Sequence, residues 1–145
     1  MRTKVFLDTN ILMDLMVPNR PFTKESMMVL AAVQSHMVEA QVSTQSIIDC
    51  AYSSRKAGVK LQDFTAFIRE LEQYVNIGYV DSFDLDLAMA EPNGDLEDDA
   101  QFSCAYRSCC DFFLTNDRGL LERPENANLK VMTPQAFVAE MQRED

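Results

Sequence analysis

The sequence predicts an α/β fold, a three-layer sandwich with a central, mainly parallel sheet. Three observations carry that expectation. Short apolar runs alternate along the chain with longer segments of helical spacing. Two of those runs, Val5-Phe6-Leu7 and Phe112-Phe113-Leu114, are apolar without alternation, as strands covered on both faces are. No repeat, low-complexity tract or Gly/Ser-rich linker interrupts the pattern. With 145 residues the chain has the usual size of one compact domain, and residues 1–145 are expected to form one.

Val5 to Leu7 make the first strand, and Asp8-Thr9-Asn10 follow at its carboxyl end. Ile11 to Met16 then read as a short helix that Pro18 stops. Thr23 to Met37 place Met27, Leu30, Ala31 and Val33 at helical spacing, with Thr23 as the expected N-cap. Glu39 to Ser43 form a strand centred on Val42. Helical spacing resumes from Thr44 to Lys56 through Ile47, Ile48 and Ala51, and Gly58 ends it. Leu61, Phe64, Phe67, Ile68 and Leu71 recur three and four apart, the pattern of an amphipathic helix with its stripe in the core. Ile77 to Val80 follow as a strand, Phe83 to Ala90 as a helix and Pro92-Asn93-Gly94 as a turn. The acidic run Asp95-Leu96-Glu97-Asp98-Asp99 opens a helix reaching about Cys109, and Asp111 to Leu114 give a buried strand ending at Thr115-Asn116-Asp117. Leu129 to Met132 are the last strand, and Pro134 suits the first turn of a helix through Met141.

Composition narrows the function. No apolar run approaches the ~20 residues a membrane-spanning helix needs, and no secretory signal opens the chain, so a cytoplasmic protein without membrane contact is expected. The cysteines Cys50, Cys104, Cys109 and Cys110 form no CxxC pair and His36 lies far from them, which excludes the usual zinc spacings and favours reduced, packed thiols. The 13 basic and 23 acidic side chains leave a net charge of −10, which opposes non-specific adhesion to nucleic acid. That objection weakens where the acids converge on one pocket, because bound cations reverse the local field there.

In an open parallel sheet, ligands bind beyond the carboxyl ends of the strands. Asp8 and Asp117 occupy that place, although each could also be an ordinary helix cap. Asp95, Asp98 and Asp99 share one side of the first turn of their helix. Compensation of the helix dipole accounts for Asp95 and Glu97. Several like charges in one turn still repel unless a cation relieves them, which makes one of Asp98 and Asp99 a candidate ligand. Asp49 sits one to two turns into its helix within an apolar stretch, either solvated or turned to a polar pocket. Four segments thus deliver carboxylates near strand ends, and hard oxygen ligands of that kind suit Mg²⁺ or Mn²⁺. Arg20, Lys24, Arg55, Lys56, Lys60 and Arg118 are candidate phosphate contacts, Arg118 foremost because it adjoins Asp117.

The stretch Val5-Phe6-Leu7-Asp8-Thr9-Asn10-Ile11-Leu12-Met13-Asp14 resembles the opening strand and first motif of PIN domains, the family that includes VapC-like toxins. Val42 to Asp49, Asp95 to Gln101 and Phe112 to Asp117 are similar to the family's second, third and fourth motifs, in family order. The resemblance implies a PIN-like fold and a metal-dependent endoribonuclease cleaving single-stranded RNA, with the toxin of a toxin–antitoxin pair among the family's roles. It further implies Asp8, Asp49, Asp98 and Asp117 as catalytic acids. Of these, Asp8, Asp98 and Asp117 would hold Mg²⁺ or Mn²⁺, with Asp99 competing with Asp98 for the inward place. Asn10, Ser43 and Thr115 would be supporting polar groups, and Arg118 and Arg20 would contact RNA. A homodimer built through early helices and an antitoxin partner are also implied. The family usually carries glutamate where this chain has Asp49. A PIN fold that binds RNA or protein without cutting is the alternative. A receiver domain lacks its paired acid and late lysine here, and an aspartyl-phosphate enzyme lacks the second aspartate where Asn10 stands.

Overall fold

Val5, Phe6 and Leu7 are buried to 1% exposure or less because their strand, β1 (Lys4–Leu7), lies in the middle of a sheet covered on both faces. The structure, a computed structural model, describes residues 2–90, 95–123 and 128–143. In chain order, β1 is followed by α1 (Thr9–Met16), α2 (Thr23–Gln34), β2 (Glu39–Ser43), α3 (Thr44–Lys56), α4 (Leu61–Leu71) and β3 (Val75–Gly78). Then come α5 (Ser82–Ala90), α6 (Leu96–Arg107), β4 (Phe112–Leu114), α7 (Arg118–Leu121), β5 (Lys130–Met132) and α8 (Pro134–Arg143). The turn expected at Pro92-Asn93-Gly94 lies outside the described residues.

The five strands are ordered β3-β2-β1-β4-β5, and every pairing is parallel. Alternate residues of a strand face opposite sides. Val5 and Leu7 accordingly join a core with Ile11 and Leu12 of α1, Val29 of α2, Cys50 of α3, Ile68 of α4 and Phe137 of α8. Phe6 turns the other way and stacks on Phe113 of β4, ring centres 4.9 Å apart, against Cys104 and Ala105 of α6 and Leu120 of α7. That division produces the expected three layers. The chain runs outward from β1 to β2 and β3, then returns to place β4 on the other side of β1. The carboxyl ends of β1 and β4 therefore flank the point where strand order reverses.

Several boundaries differ from the sequence expectation. Helix α2 stops at Gln34 rather than Met37, and His36 takes a left-handed conformation (φ 63°) outside the helix. Its N–H donates to Val33 O and that of Met37 to Ala32 O, the pair of bonds that closes a helix end. Thr23 is not the cap of α2; Phe22 holds that place without a side-chain bond, and the Thr23 hydroxyl donates to the Asp14 carbonyl at 3.0 Å. Strand β3 ends at Gly78, earlier than Ile77 to Val80 implied, because Val75 is the buried residue while Ile77 is 37% exposed. Helix α7 was not expected at all. Cys50, Cys104 and Cys110 are buried free thiols. Among the described residues no helix is long and apolar enough to cross a membrane.

Candidate metal and nuclease site

Asp8 leaves β1 with its N–H still paired to Leu114 O at 3.1 Å, so the β1–β4 ladder itself fixes where its carboxylate begins. The residue caps α1: Oδ1 accepts from Thr9 N at 2.8 Å, while Oδ2 accepts from Thr115 Oγ1 at 2.8 Å and Asn10 Nδ2 at 3.2 Å. Thr115, fully buried, also accepts from Asn10 Nδ2 at 3.0 Å and from the Asp117 N–H at 3.0 Å. The Asn10 side-chain carbonyl accepts from Asn116 N at 3.1 Å. One hydroxyl and one amide thereby lock the turn carrying Asp117 onto the turn carrying Asp8. Asp117 caps α7 through Gly119 N at 2.8 Å. Capping and site roles coincide here, because a strand-end aspartate that caps the next helix is held at the crevice.

Asp95 caps α6 by accepting from Asp98 N at 3.0 Å, which leaves Asp98 on the third residue of the helix, half-buried. Its carboxyl is pushed up to about 6, first by burial and then by the charges of Asp95, Asp8 and Asp117, with Arg123 opposing. Burial also raises Asp8, against hydrogen bonds from Thr115 and Thr9, and the charge of Asp117 adds to the rise. Acids from positions 8, 98 and 117 therefore lie within electrostatic reach of one another. Asp99 turns instead to Arg123, whose guanidinium pairs with its Oδ1 and lies 5.3 Å over the Phe102 ring.

Asp49 accepts from Gln45 Nε2 at 3.1 Å through Oδ1, and its other oxygen is buried without a donor. Glu97 supplies an explanation. Its carboxyl is raised to about 7, chiefly by a hydrogen bond with Asp49, then by burial and by the charges of Asp49, Asp95 and Asp98. A hydrogen bond between two carboxyls requires a proton on one of them, and Glu97 is the raised member of the pair. Ser43 caps α3 through Ser46 N at 3.0 Å and donates to Gln101 Oε1 at 2.7 Å, while Gln101 Nε2 donates to Ser46 Oγ at 2.9 Å. Ser43 thus binds α3 to α6, so that Asp49 and Glu97 meet.

The sequence pattern assigns Glu97 to the helix dipole and gives no sign of the contacts made by Gln101, Arg123 and Asp14. Their partners lie on other segments, and an arginine a few residues past the fourth motif was the one available signal. The basic candidates divide. Arg20 Nε donates to Asp14 Oδ1 at 3.0 Å, and Arg118 is exposed beside Asp117. Arg55 and Lys56 end α3, about 18 Å along the helix from Ser43 at 1.5 Å per residue, and Lys60 precedes α4 beyond them. Lys24 is exposed on α2. His36 is exposed and takes no part.

Among the described residues, no three Asp, Glu, His or Cys side chains form a ready-made cage for an ion. The donor set nevertheless fits a hard cation. All its ligands are carboxylate oxygens, two of them, Asp8 and Asp98, are raised first by burial and further by neighbouring carboxylates, and Mg²⁺ characteristically takes only one or two carboxylates and keeps several waters. Burial and that repulsion together have a measurable sign. Asp98 is raised from its ordinary value, so its stabilising contribution is complete below pH ~4 and is lost as pH rises through about 6. In chelator, the melting temperature should rise as pH falls from 7.5 to 5. Asp98→Asn should stabilise the metal-free protein at pH 7.5 by about 1 kcal/mol, or ~2–4 °C, after allowance for solvent screening of a half-exposed group. A lower melting temperature in that variant would show that Asp98 is not under repulsion.

A family model described as PIN domain matches residues 4–119. No curated protein matches by sequence. Among solved structures, the chain is similar to a toxin–antitoxin complex from Klebsiella pneumoniae (TM-score 0.63, 19% identity, 90% of this chain and 97% of that one). It is similar also to Mycobacterium tuberculosis VapC20, a sarcin–ricin loop cleaving toxin (TM-score 0.62, 11% identity, 75% and 86%). A third likeness is to VapBC2 from Rickettsia felis bound to a DNA fragment from their promoter (TM-score 0.60, 15% identity, 90% and 99%).

Proposed function

Because the chain belongs to the PIN-domain family, we propose that it is a metal-dependent endoribonuclease that cuts single-stranded RNA and serves as the toxin of a toxin–antitoxin pair. The observation that supports this most is that Asp8 and Asp117, on two distant segments at the point where the strand order reverses, act electrostatically on Asp98 of a third. Those three residues would hold Mg²⁺ or Mn²⁺. Such an ion, when bound, offsets charge on a phosphoryl group and makes water a better nucleophile.

The protein's own part is positioning and proton handling. Thr115 and Asn10 fix the Asp8 carboxylate against rotation. Asp49, which meets Glu97 at this edge, is the carboxylate that would position or deprotonate the attacking water. Asp99 keeps Arg123 beside the acids, where its charge acts on Asp98, and Arg123, Arg20 and Arg118 give the RNA backbone local cations on a molecule whose net charge repels it. The antitoxin partner is supported by the toxin–antitoxin assemblies among the similar structures. A homodimer in the cytoplasm completes the reading.

Purified protein given single-stranded RNA should cut it with Mn²⁺ present and stop when a chelator is added. Metal and RNA binding without cleavage would select the non-cutting binding module instead. No metal binding at all would end the nuclease reading.

A further inference from the structure

Asp14 is 1% exposed on the same helix as Ile11, Leu12 and Met13, where an apolar side chain would satisfy packing. Burying a carboxylate there is costly unless each oxygen is satisfied. Both are. Oδ1 accepts from Arg20 Nε at 3.0 Å, and Oδ2 accepts from Ser26 Oγ at 2.8 Å and Asn116 Nδ2 at 3.1 Å. The Arg20 and Ser26 bonds join neighbouring parts of the chain, α1 to the loop and helix after it. The third bond reaches across 102 positions of sequence to the residue between Thr115 and Asp117.

We propose that Asp14 is a positioning residue for the acidic site, acting through Asn116. Resting on the nuclease reading above, the inference extends it from the ligands to what holds them. Asn116 is gripped twice: its side chain donates to Asp14, and its backbone N–H donates to the Asn10 carbonyl oxygen, the same side chain that donates to Asp8 and Thr115. With the Asp14 bond in place, the Asn116 backbone cannot swing away from Asn10, and the Asp117 N–H stays on Thr115 Oγ1. The spacing between Asp8 and Asp117 is thereby set by a carboxylate that touches neither. Groups that hydrogen-bond a metal ligand directly typically alter metal affinity tenfold to a hundredfold when removed, and Asp14, acting one link further out, should fall at the low end of that range.

Asp14→Asn keeps the shape but turns an amide donor toward one of the donors Arg20, Ser26 and Asn116. In the metal-free protein, hydrogen exchange at the Asn116 and Asp117 amides should quicken at least about tenfold. Mn²⁺ affinity, titrated by electron paramagnetic resonance, should fall about tenfold or more. Asn116→Ala should match it, and the double variant should be no worse than the weaker single, since both break one link. A folded Asp14→Asn protein with wild-type Mn²⁺ affinity overturns the proposal and leaves the nuclease reading standing. If Asp14→Asn does not fold, Asn116→Ala decides: weakened binding supports the link, unchanged binding overturns it. Wild-type protein that binds no Mn²⁺ overturns both.

Discussion

RNA cleavage is expected to fall at least a hundredfold, about 3 kcal/mol of barrier, when Asp8 is replaced by asparagine, while the melting temperature stays within about 3 °C of wild type. The two halves of that expectation have separate causes. Asparagine retains an oxygen able to accept from Thr9 N, so the cap of α1 survives, and the cost is confined to the two bonds that Thr115 and Asn10 donate to Oδ2. Replacing a buried carboxylate that burial and Asp117 already press toward its neutral form also removes repulsion. Folding therefore loses little. On the proposed reading metal binding would lose a charged ligand whose place is fixed by the β1–β4 ladder, and no other carboxylate leaves β1 at that point. Cleavage within tenfold of wild type, in protein freed of contaminating ribonuclease, would remove Asp8 from the site; a collapse of stability would make its role structural.

Why the strand-end, helix-capping place of Asp8 could be read in the sequence while the Asp14–Asn116 bond could not is a matter of which interactions are local. Asp8 and Asp117 follow continuous apolar runs and cap the next helix, and both signals lie within a few residues. Central strands are legible for the same reason, since β1 and β4 are apolar on both faces. An edge strand has one neighbour and a weaker pattern, and β3 was accordingly placed too late, on Ile77 rather than Val75. The four residues of α7 are too few to show a period. Helices α2 and α6 end on left-handed His36 and Cys109, not on the glycines that would announce such an end. Glu97 read as dipole compensation because its partner Asp49 is brought to it only by the Ser43–Gln101 contact between helices. Asp14 meets Asn116, and Asp99 meets Arg123, through folding alone.

The largest stability loss is expected away from the site, at the clip between α5 and α6. Asp84 is fully buried and accepts from Arg107 Nη2 at 2.7 Å, Ser103 Oγ at 2.8 Å and Asp81 N at 3.1 Å. Arg107 is also tied to the Tyr79 carbonyl at 2.9 Å, so one guanidinium fastens α5, α6 and the end of β3. Burial alone would raise the Asp84 carboxyl, yet hydrogen bonds from Arg107, Asp81 and Ser103 hold it below its ordinary value. Arg107→Ala would strand that carboxylate, at a cost of about 3 kcal/mol, which lowers the melting temperature by ~6–12 °C for a chain of this size. The depressed carboxyl fixes the pH sense: the contribution is present above pH ~4 and is lost as pH falls through the lowered value, so the variant and wild type should converge in acid. Arg107 stands nine residues beyond Asp98, about 13 Å along α6, so cleavage by the folded variant at low temperature should remain near wild type. A variant that melts with wild type at pH 7 would mean that water reaches Asp84 and replaces the arginine; equal destabilisation at pH 7 and pH 3 would mean that packing, not charge, is what Arg107 supplies.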